Sequence, residues 1–243
     1  VWLRILGLML ALPMVAYRAV PLRVRIWTSL LLALLALETA RVTQGSVAAQ
    51  GIAVLAAAGE LLIGLVAGFA VRLGLTAVDI ASEVLSVQAG LSFAATYVRD
   101  PSLQSGLLGE FLGLTALALA FALDTHLVVL DILLRGFAVV PVGQWPAGWN
   151  ATAIVELVAE AFRLGLVLAA PLLAVYMTFS LVQAVLGRTS PQLNLFSIGF
   201  AISVPLALLL IALLVGDMQG FLSGTLGRSV DFIRAGFDAR VRP

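Results

Sequence analysis

One apolar stretch of this chain is unusually long: VAAQGIAVLAAAGELLIGLVAGFAVRLGLTAVDIASEVLSVQA, which runs from Val47 to Ala89. Its hydrophobic residues continue for far more than the ~20 positions that one membrane span requires. The pattern therefore predicts a single, very long helix. Within it, Gly64 and Gly68 are four residues apart, a spacing that permits close contact with another helix.

The composition places the chain in the membrane class. Of its 243 residues, 62% are hydrophobic and 11% are charged, and the mean hydropathy is +1.12. Soluble domains carry about 25% charged residues, so a soluble core could not absorb this much apolar surface. The length allows roughly six to eight helices at ~20 residues per span.

Breaks in the apolar runs divide the rest of the chain into further predicted helices. They cover residues 1–17, 26–43, 107–124, 125–140, 151–187 and 195–215, and a basic linker occupies Arg18 to Arg25. The first is interpreted as a helix of the mature protein, because no small-x-small cleavage pattern follows it. Pro171 and Pro205 should kink the last two helices. The tail has apolar residues at helical spacing and predicts an amphipathic helix lying on a surface: Leu222, Leu226, Val230, Ile233 and Phe237.

Acidic residues interrupt several of the apolar helices: Glu60, Asp79, Glu83, Glu110, Asp131, Glu156 and Glu160. An ionised group facing lipid costs several kcal/mol, so most of these carboxylates should face other helices, partner subunits or water. Glu160 precedes Arg163 by three residues, which favours an ion pair.

A polar stripe leads toward the carboxyl end of the long helix. Its residues follow one another at intervals of four, three, four and three, on one helical face: Arg72, Thr76, Asp79, Glu83 and Ser86. Gly90 follows four residues later. The stripe is interpreted either as a satisfied polar seam between packed helices or as a face that lines water or meets a partner, and both remain open.

Enzymatic chemistry finds little support in the residue types. There is no cysteine, lysine is absent, and His126 is the single histidine. Thiolate nucleophiles, multi-histidine metal sites and a lysine-containing phosphate loop are thereby excluded. We interpret His126 as a hydrogen-bonded side chain at a helix end. A net charge of +1 offers no basic surface for nucleic acid. We predict no enzyme activity and no cofactor.

Three segments together resemble the FliR/SctT family, the R/T-type membrane component of the type III protein export apparatus. They are GLSFAATYVRDP (Gly90 to Pro101), DTHLVVLDILLRGFAVVPVG (Asp124 to Gly143) and LGRTSPQLNLFSIGF (Leu186 to Phe200). The order and spacing match along nearly the whole chain. The family-motif turns correspond to His126, Pro141, Gly143, Pro191, Gln192 and Asn194.

The resemblance implies an all-α fold of membrane-associated helical hairpins, similar to a fused P-type plus Q-type export-gate subunit and stacked in a helical assembly. Residues 1–140 would be the P-type-like part. Residues 150–243 would be a Q-type-like hairpin followed by the carboxyl-terminal amphipathic helix. The implied partners are P-type and Q-type subunits, a B/U-type switch protein, unfolded secretion substrates and the lipid membrane. The implied location is the bacterial inner membrane, in a flagellar basal body in preference to an injectisome base, with helices raised toward the periplasm.

The resemblance also assigns a role to the loop at 90–106. In the family this loop projects into the central channel as part of a plug, and the matching residues are Gly90, Leu91, Ser92, Phe93, Tyr97 and Pro101. Apolar side chains at a constriction exclude water and ions. A plain connecting loop is the alternative. For the whole chain, the leading expectation is a non-enzymatic subunit of a protein-conducting gate, and the alternative is a polytopic ion or small-molecule transporter.

Overall fold

The computed structural model describes residues 1–13, 20–40, 53–89, 106–140, 144–146, 149–189 and 195–238. Every regular element in those ranges is an α-helix, which confirms the all-α class. In chain order the helices are α1 (Trp2–Ala11), α2 (Leu22–Ala40), α3 (Ala53–Gln88), α4 (Gly106–Ala122), α5 (Thr125–Val139), α6 (Ala151–Thr189) and α7 (Leu195–Asp238).

Three of these helices are long and apolar enough to cross a membrane. They are the segments Val54–Gln88, Ala151–Thr189 and Ala201–Phe237, belonging to α3, α6 and α7. A fourth span is possible if α4 and α5 act as one broken span, since they are separated only by Leu123 and Asp124. Asp124 has a left-handed backbone, with φ of 51°, and such a residue cannot continue a right-handed helix.

The chain forms two compact units, and α3, α4, α6 and α7 each contribute to both. The first unit comprises Val1–Gly74, Ala120–Ala159 and Gly224–Pro243, and the second comprises Leu75–Leu119 and Glu160–Ser223. This division passes through the helices, and the organisation into residues 1–140 and 150–243 stays a prediction.

In the first unit, α1 crosses the amino-terminal half of α3 with the two backbones in contact. A Cβ atom placed on Gly64 would meet the carbonyl oxygen of Arg4 and lie 2.7 Å from the backbone nitrogen of Leu8. One placed on Gly68 would lie 2.7 Å from Cβ of Ala11. The close helix contact that the spacing of Gly64 and Gly68 permits is present, and α1 is the helix that they contact.

A buried ion pair joins the same two helices. Nε and Nη2 of Arg4 lie 2.8 Å and 3.0 Å from the two carboxylate oxygens of Glu60. The guanidinium carbon is also 4.0 Å from the ring centroid of Phe137, and Nη2 donates to the carbonyl oxygen of Val140 at 3.4 Å. Both charged side chains are almost entirely inaccessible, so Glu60 faces other helices as the sequence predicted.

The basic linker is shorter than expected. The predicted linker extends to Arg25, whereas α2 already begins at Leu22. The carbonyl oxygen of Pro21 accepts hydrogen bonds from the backbone nitrogens of Val24 (3.0 Å) and Arg25 (3.4 Å). Proline is favoured where a helix begins, so Pro21 starts α2 instead of prolonging the linker.

Most of the apolar residues of the tail pack inside the protein, and Val230 is half-buried. They belong to the last third of α7, which runs unbroken from Leu195 to Asp238. Leu222, Leu226, Ile233 and Phe237 are buried within the protein. Leu226 packs against Gly74 of α3 and Phe237 against Gly136 of α5. The apolar side of this segment therefore packs against glycine residues of α3 and α5, and its position on a surface stays a prediction.

Candidate functional site

The polar stripe lies on the outer side of α3 for most of its length. Arg72, Asp79 and Glu83 are exposed, whereas Thr76 is half-buried and Ser86 is buried. Ser86 Oγ donates to the carbonyl oxygen of Ser82 at 2.9 Å. The stripe is therefore accessible along its charged part and internally satisfied at its carboxyl end.

Glycine residues on two neighbouring helices bring their backbones close to this half of α3. A Cβ placed on Gly113 of α4 would lie 3.8 Å from Oδ1 of Asp79. One placed on Gly165 of α6 would lie 2.9 Å from Cβ of Ile80. The backbone of α4 at Gly113 therefore lies close to the carboxylate of Asp79.

A hydrogen-bonded chain across three helices holds the carboxyl end of α3. The last carbonyl groups of a helix have no donor within the helix. Ser203 of α7 supplies one, because its Oγ donates to the carbonyl oxygen of Ala89 at 3.1 Å. Tyr176 of α6 donates its hydroxyl to the carbonyl oxygen of Ser203 at 3.0 Å. All three residues are buried, so the point where the 90–105 segment leaves α3 is fixed by α6 and α7.

Replacing Ser203 with alanine should cost about 1–3 kcal/mol, because a buried carbonyl oxygen would lose its donor. The expected result is a lower free energy of unfolding and faster amide hydrogen exchange in residues 85–89. Ser223→Ala is the matched control, since that exposed serine on α7 bonds only its own helix, at the carbonyl oxygen of Gly220. Equal effects of the two substitutions would contradict an anchoring role for Ser203.

His126, the one family-motif residue that falls in a described range, lies at the start of α5. Its ring packs against Phe121, with centroids 5.1 Å apart and planes inclined by 60°. Nδ1 is buried without a hydrogen-bond partner, so at that atom the expected hydrogen bond is absent. The expected ion pair is present in α6, where Arg163 Nη1 lies 3.2 Å from Glu160 Oε2.

The remaining predicted site residues lie outside the described residues. They are Gly90, Leu91, Ser92, Phe93, Tyr97 and Pro101 of the plug, and Pro141, Gly143, Pro191, Gln192 and Asn194 of the motif turns. Among the residues that the structure describes, no three carboxylate or imidazole side chains come together as metal ligands would.

Sequence reasoning missed Tyr176 and Ser203, although each carries a weak signal. A tyrosine in a strongly apolar helix needs a hydrogen-bond partner for its hydroxyl when it is buried. Ser203 is likewise an isolated polar residue in an apolar run. What the sequence could not give is the pairing, since 114 positions separate Ser203 from Ala89.

The long apolar helices and the exposed charges of α3 identify the class of protein. It is a polytopic α-helical membrane protein with a polar face on one long helix. The model of the family described as bacterial export proteins, family 1, matches residues 1–228. The chain belongs to this family.

Curated relatives agree with the family match along most of the chain. The flagellar biosynthetic protein FliR of Caulobacter vibrioides is 31% identical over 220 residues, covering 88% of this chain and 86% of the relative. The FliR protein of Escherichia coli strain K12 is 32% identical over 215 residues, covering 88% and 82%. That of Bacillus subtilis is 26% identical, covering 87% and 83%.

Proposed function

We propose that this chain is a non-enzymatic subunit of the type III export gate, through which unfolded flagellar proteins cross the inner membrane. The observation that carries the proposal is membership of the bacterial export family over residues 1–228. The relatives described above are named flagellar biosynthetic proteins, which favours flagellar over injectisome export.

The proposed assembly places this chain beside P-type and Q-type subunits, with a B/U-type switch protein docked on the cytoplasmic side and helices raised toward the periplasm. In that assembly, residues 1–140 take the P-type-like role and residues 150–243 the Q-type-like role. Apolar surface that the chain itself leaves uncovered supports the idea of a subunit. In the most apolar 18-residue stretch of α6, only 22% is buried within the chain. A face of this kind suits lipid or neighbouring subunits, not water.

The proposed plug comprises Gly90, Leu91, Ser92, Phe93, Tyr97 and Pro101, with Phe93 as the principal sealing side chain. Two features of the described residues support it. The exposed charges of Arg72, Asp79 and Glu83 lead along α3 toward Gly90, as a wall of an aqueous passage would. The anchor at Ala89 gives the proposed plug a fixed starting point, without which a seal could not be reproducible.

Replacing Phe93 and Tyr97 together with alanine should increase ion conductance through the assembled gate. The physical reason is that an apolar constriction excludes ions by dewetting, and two methyl groups would leave the constriction wet. The measurement is single-channel conductance of the assembled gate in planar bilayers. We expect Phe93→Ala to have a larger effect than Tyr97→Ala.

Phe162→Ala serves as the control for that experiment, because Phe162 is an exposed aromatic residue of α6, remote in sequence from the proposed plug. If conductance were unchanged in the double variant, or rose equally in the control, the 90–106 loop would be a plain connector. The export-gate proposal would survive that result and the plug would not.

The gate proposal itself is tested by deleting the gene and measuring flagellar proteins in the culture medium. Export should be lost and restored by the intact chain. The alternative, an ion or small-molecule transporter, would use exposed carboxylates such as Asp79 and Glu83 to bind cations. Two results together would establish that alternative. The purified chain alone would move a solute into liposomes, and cells that lack the gene would still export flagellar proteins.

A further inference from the structure

The helix α2 has an unusual distribution of side-chain size. Its inward face carries small buried residues, Ser29, Ala33 and Ala36, and Ser29 Oγ accepts a hydrogen bond from Nε1 of Trp2 at 3.2 Å. This face packs on α1 and α5. The large apolar residues point away from the protein instead: Trp27, Leu31, Leu34 and Leu35 are between 57% and 70% exposed.

A helix that contacts lipid typically has small residues on the face toward the protein and large apolar residues on the face toward the lipid. In water the large apolar side chains would be buried, since each would gain about 1.5–3 kcal/mol by leaving the solvent. In a bilayer that gain disappears, because lipid tails are as apolar as leucine, and helices approach through small residues instead. The outer face of α2 therefore fits acyl chains.

The amino-terminal end of this face has a different chemistry. Trp27 lies one turn after Arg23, and both are exposed. Arg25, in the same turn, is half-buried and donates from Nη2 to the carbonyl oxygen of Val20 at 3.1 Å. No acidic residue occurs between Leu22 and Leu35. Tryptophan favours the headgroup level of a membrane, and arginine extends its charge to the same level.

We propose that the outer face of α2 binds an acidic phospholipid, with its headgroup at Arg23 and Trp27 and an acyl chain along Leu31 and Leu35. The dimensions agree with this placement. The eight-residue rise from Trp27 to Leu35 is about 12 Å. Half of the ~30 Å hydrocarbon layer is about 15 Å, so this face covers most of one leaflet. The exposed Arg23 and the absence of carboxylates between Leu22 and Leu35 select a lipid with a net negative charge.

The test uses the tryptophan itself as the probe. The purified chain is placed in nanodiscs containing acyl-chain-brominated phosphatidylglycerol or phosphatidylcholine, and the fluorescence of Trp27 is obtained as the difference between the wild type and Trp27→Phe. We expect strong quenching by both lipids and a preference for phosphatidylglycerol of about five-fold, the ratio that one arginine near an acidic surface provides. Arg23→Gln should keep the quenching and reduce the preference to near one.

Arg135→Gln is the matched control, because Arg135 is an exposed arginine on α5 that is paired with Asp131. It should leave the lipid preference at Trp27 unchanged. An equal response to both lipids in the wild type would overturn the acidic selectivity, and absence of quenching would overturn lipid contact altogether. Quenching that is present in the isolated chain and absent in the assembled apparatus would assign this face to another protein and also overturn the proposal.

Discussion

Replacing Arg4 with methionine is expected to lower the free energy of unfolding by about 3–5 kcal/mol, the cost of leaving one member of a buried ion pair without its partner. The side chains of Arg4 and Glu60 are 0% and 3% exposed, so solvent cannot take over the lost interaction. The carboxylate of Glu60 would lose both of its guanidinium contacts. Phe137 and the carbonyl oxygen of Val140 would lose contact with the same group, which loosens α5 as well.

The measurement is reversible unfolding by SDS in mixed micelles, and the chain contains its own control. Arg135 and Asp131 form an ion pair of the same length, 2.8 Å, but their side chains are 79% and 56% exposed. Arg135→Met should cost less than about 1 kcal/mol, because a solvent-exposed pair contributes little. Equal losses in the two variants would mean that burial of the Arg4 pair does not matter.

A double variant separates the charge from the packing. Arg4→Met combined with Glu60→Met removes both charges, so no carboxylate is left in the interior without the guanidinium that it binds. Buried ion pairs replaced by apolar residues of similar volume are often as stable as the original. We expect the double variant to recover most of the stability that the single variant loses. If the double variant is as unstable as the single one, the guanidinium contacts with Phe137 and Val140 are the important ones.

The positions of the helices could be predicted from the sequence better than the contacts between them. Periodicity located the long helix to within a few residues at its carboxyl end, because hydrophobic spacing is a local property. It also indicated that Glu60 should face protein, since a carboxylate cannot face lipid cheaply. It could not indicate Arg4 as the partner, because 56 positions separate the two residues and only the packing of α1 on α3 brings them together.

The candidate site shows the same division between local and non-local information. The stripe from Arg72 to Ser86 follows from helical geometry, and the structure places its charged residues on an exposed face. The anchor at Ala89 depends on three helices meeting, so only an isolated tyrosine and an isolated serine in apolar runs could point to it in the sequence. The helices that contact the tail of α7 could not be predicted for a related reason: Gly74 and Gly136 form the surface on which it packs, and glycines in separate helices carry no pattern in the sequence.

Replacing Gly64 with alanine should cost about 3 kcal/mol, near the upper end of the usual range for overpacking. The added Cβ would meet the carbonyl oxygen of Arg4 and lie 2.7 Å from the backbone nitrogen of Leu8, and neither is a flexible side chain that could turn away. The only response is to move α1 away from α3, which would also stretch the ion pair between Arg4 and Glu60. Gly59→Ala on the same helix is the control, because nothing lies within 4 Å of its Cβ position. It should be neutral or stabilising by up to about 1 kcal/mol.

A double-mutant cycle then tests whether one helix crossing accounts for the effect. A Cβ on Gly7 would lie 2.9 Å from the backbone nitrogen of Leu65 and 3.1 Å from Cα of Gly64, so Gly7→Ala forces the same separation of α1 and α3 from the opposite side. Once either substitution has separated the helices, the second meets less resistance. The loss of unfolding free energy in the double variant should therefore be smaller than the sum of the losses in the two single variants, as is usual for residues in contact. Strict additivity would mean that each alanine is accommodated by its own local distortion, and the helix crossing would then tolerate side chains that the present backbone contact excludes.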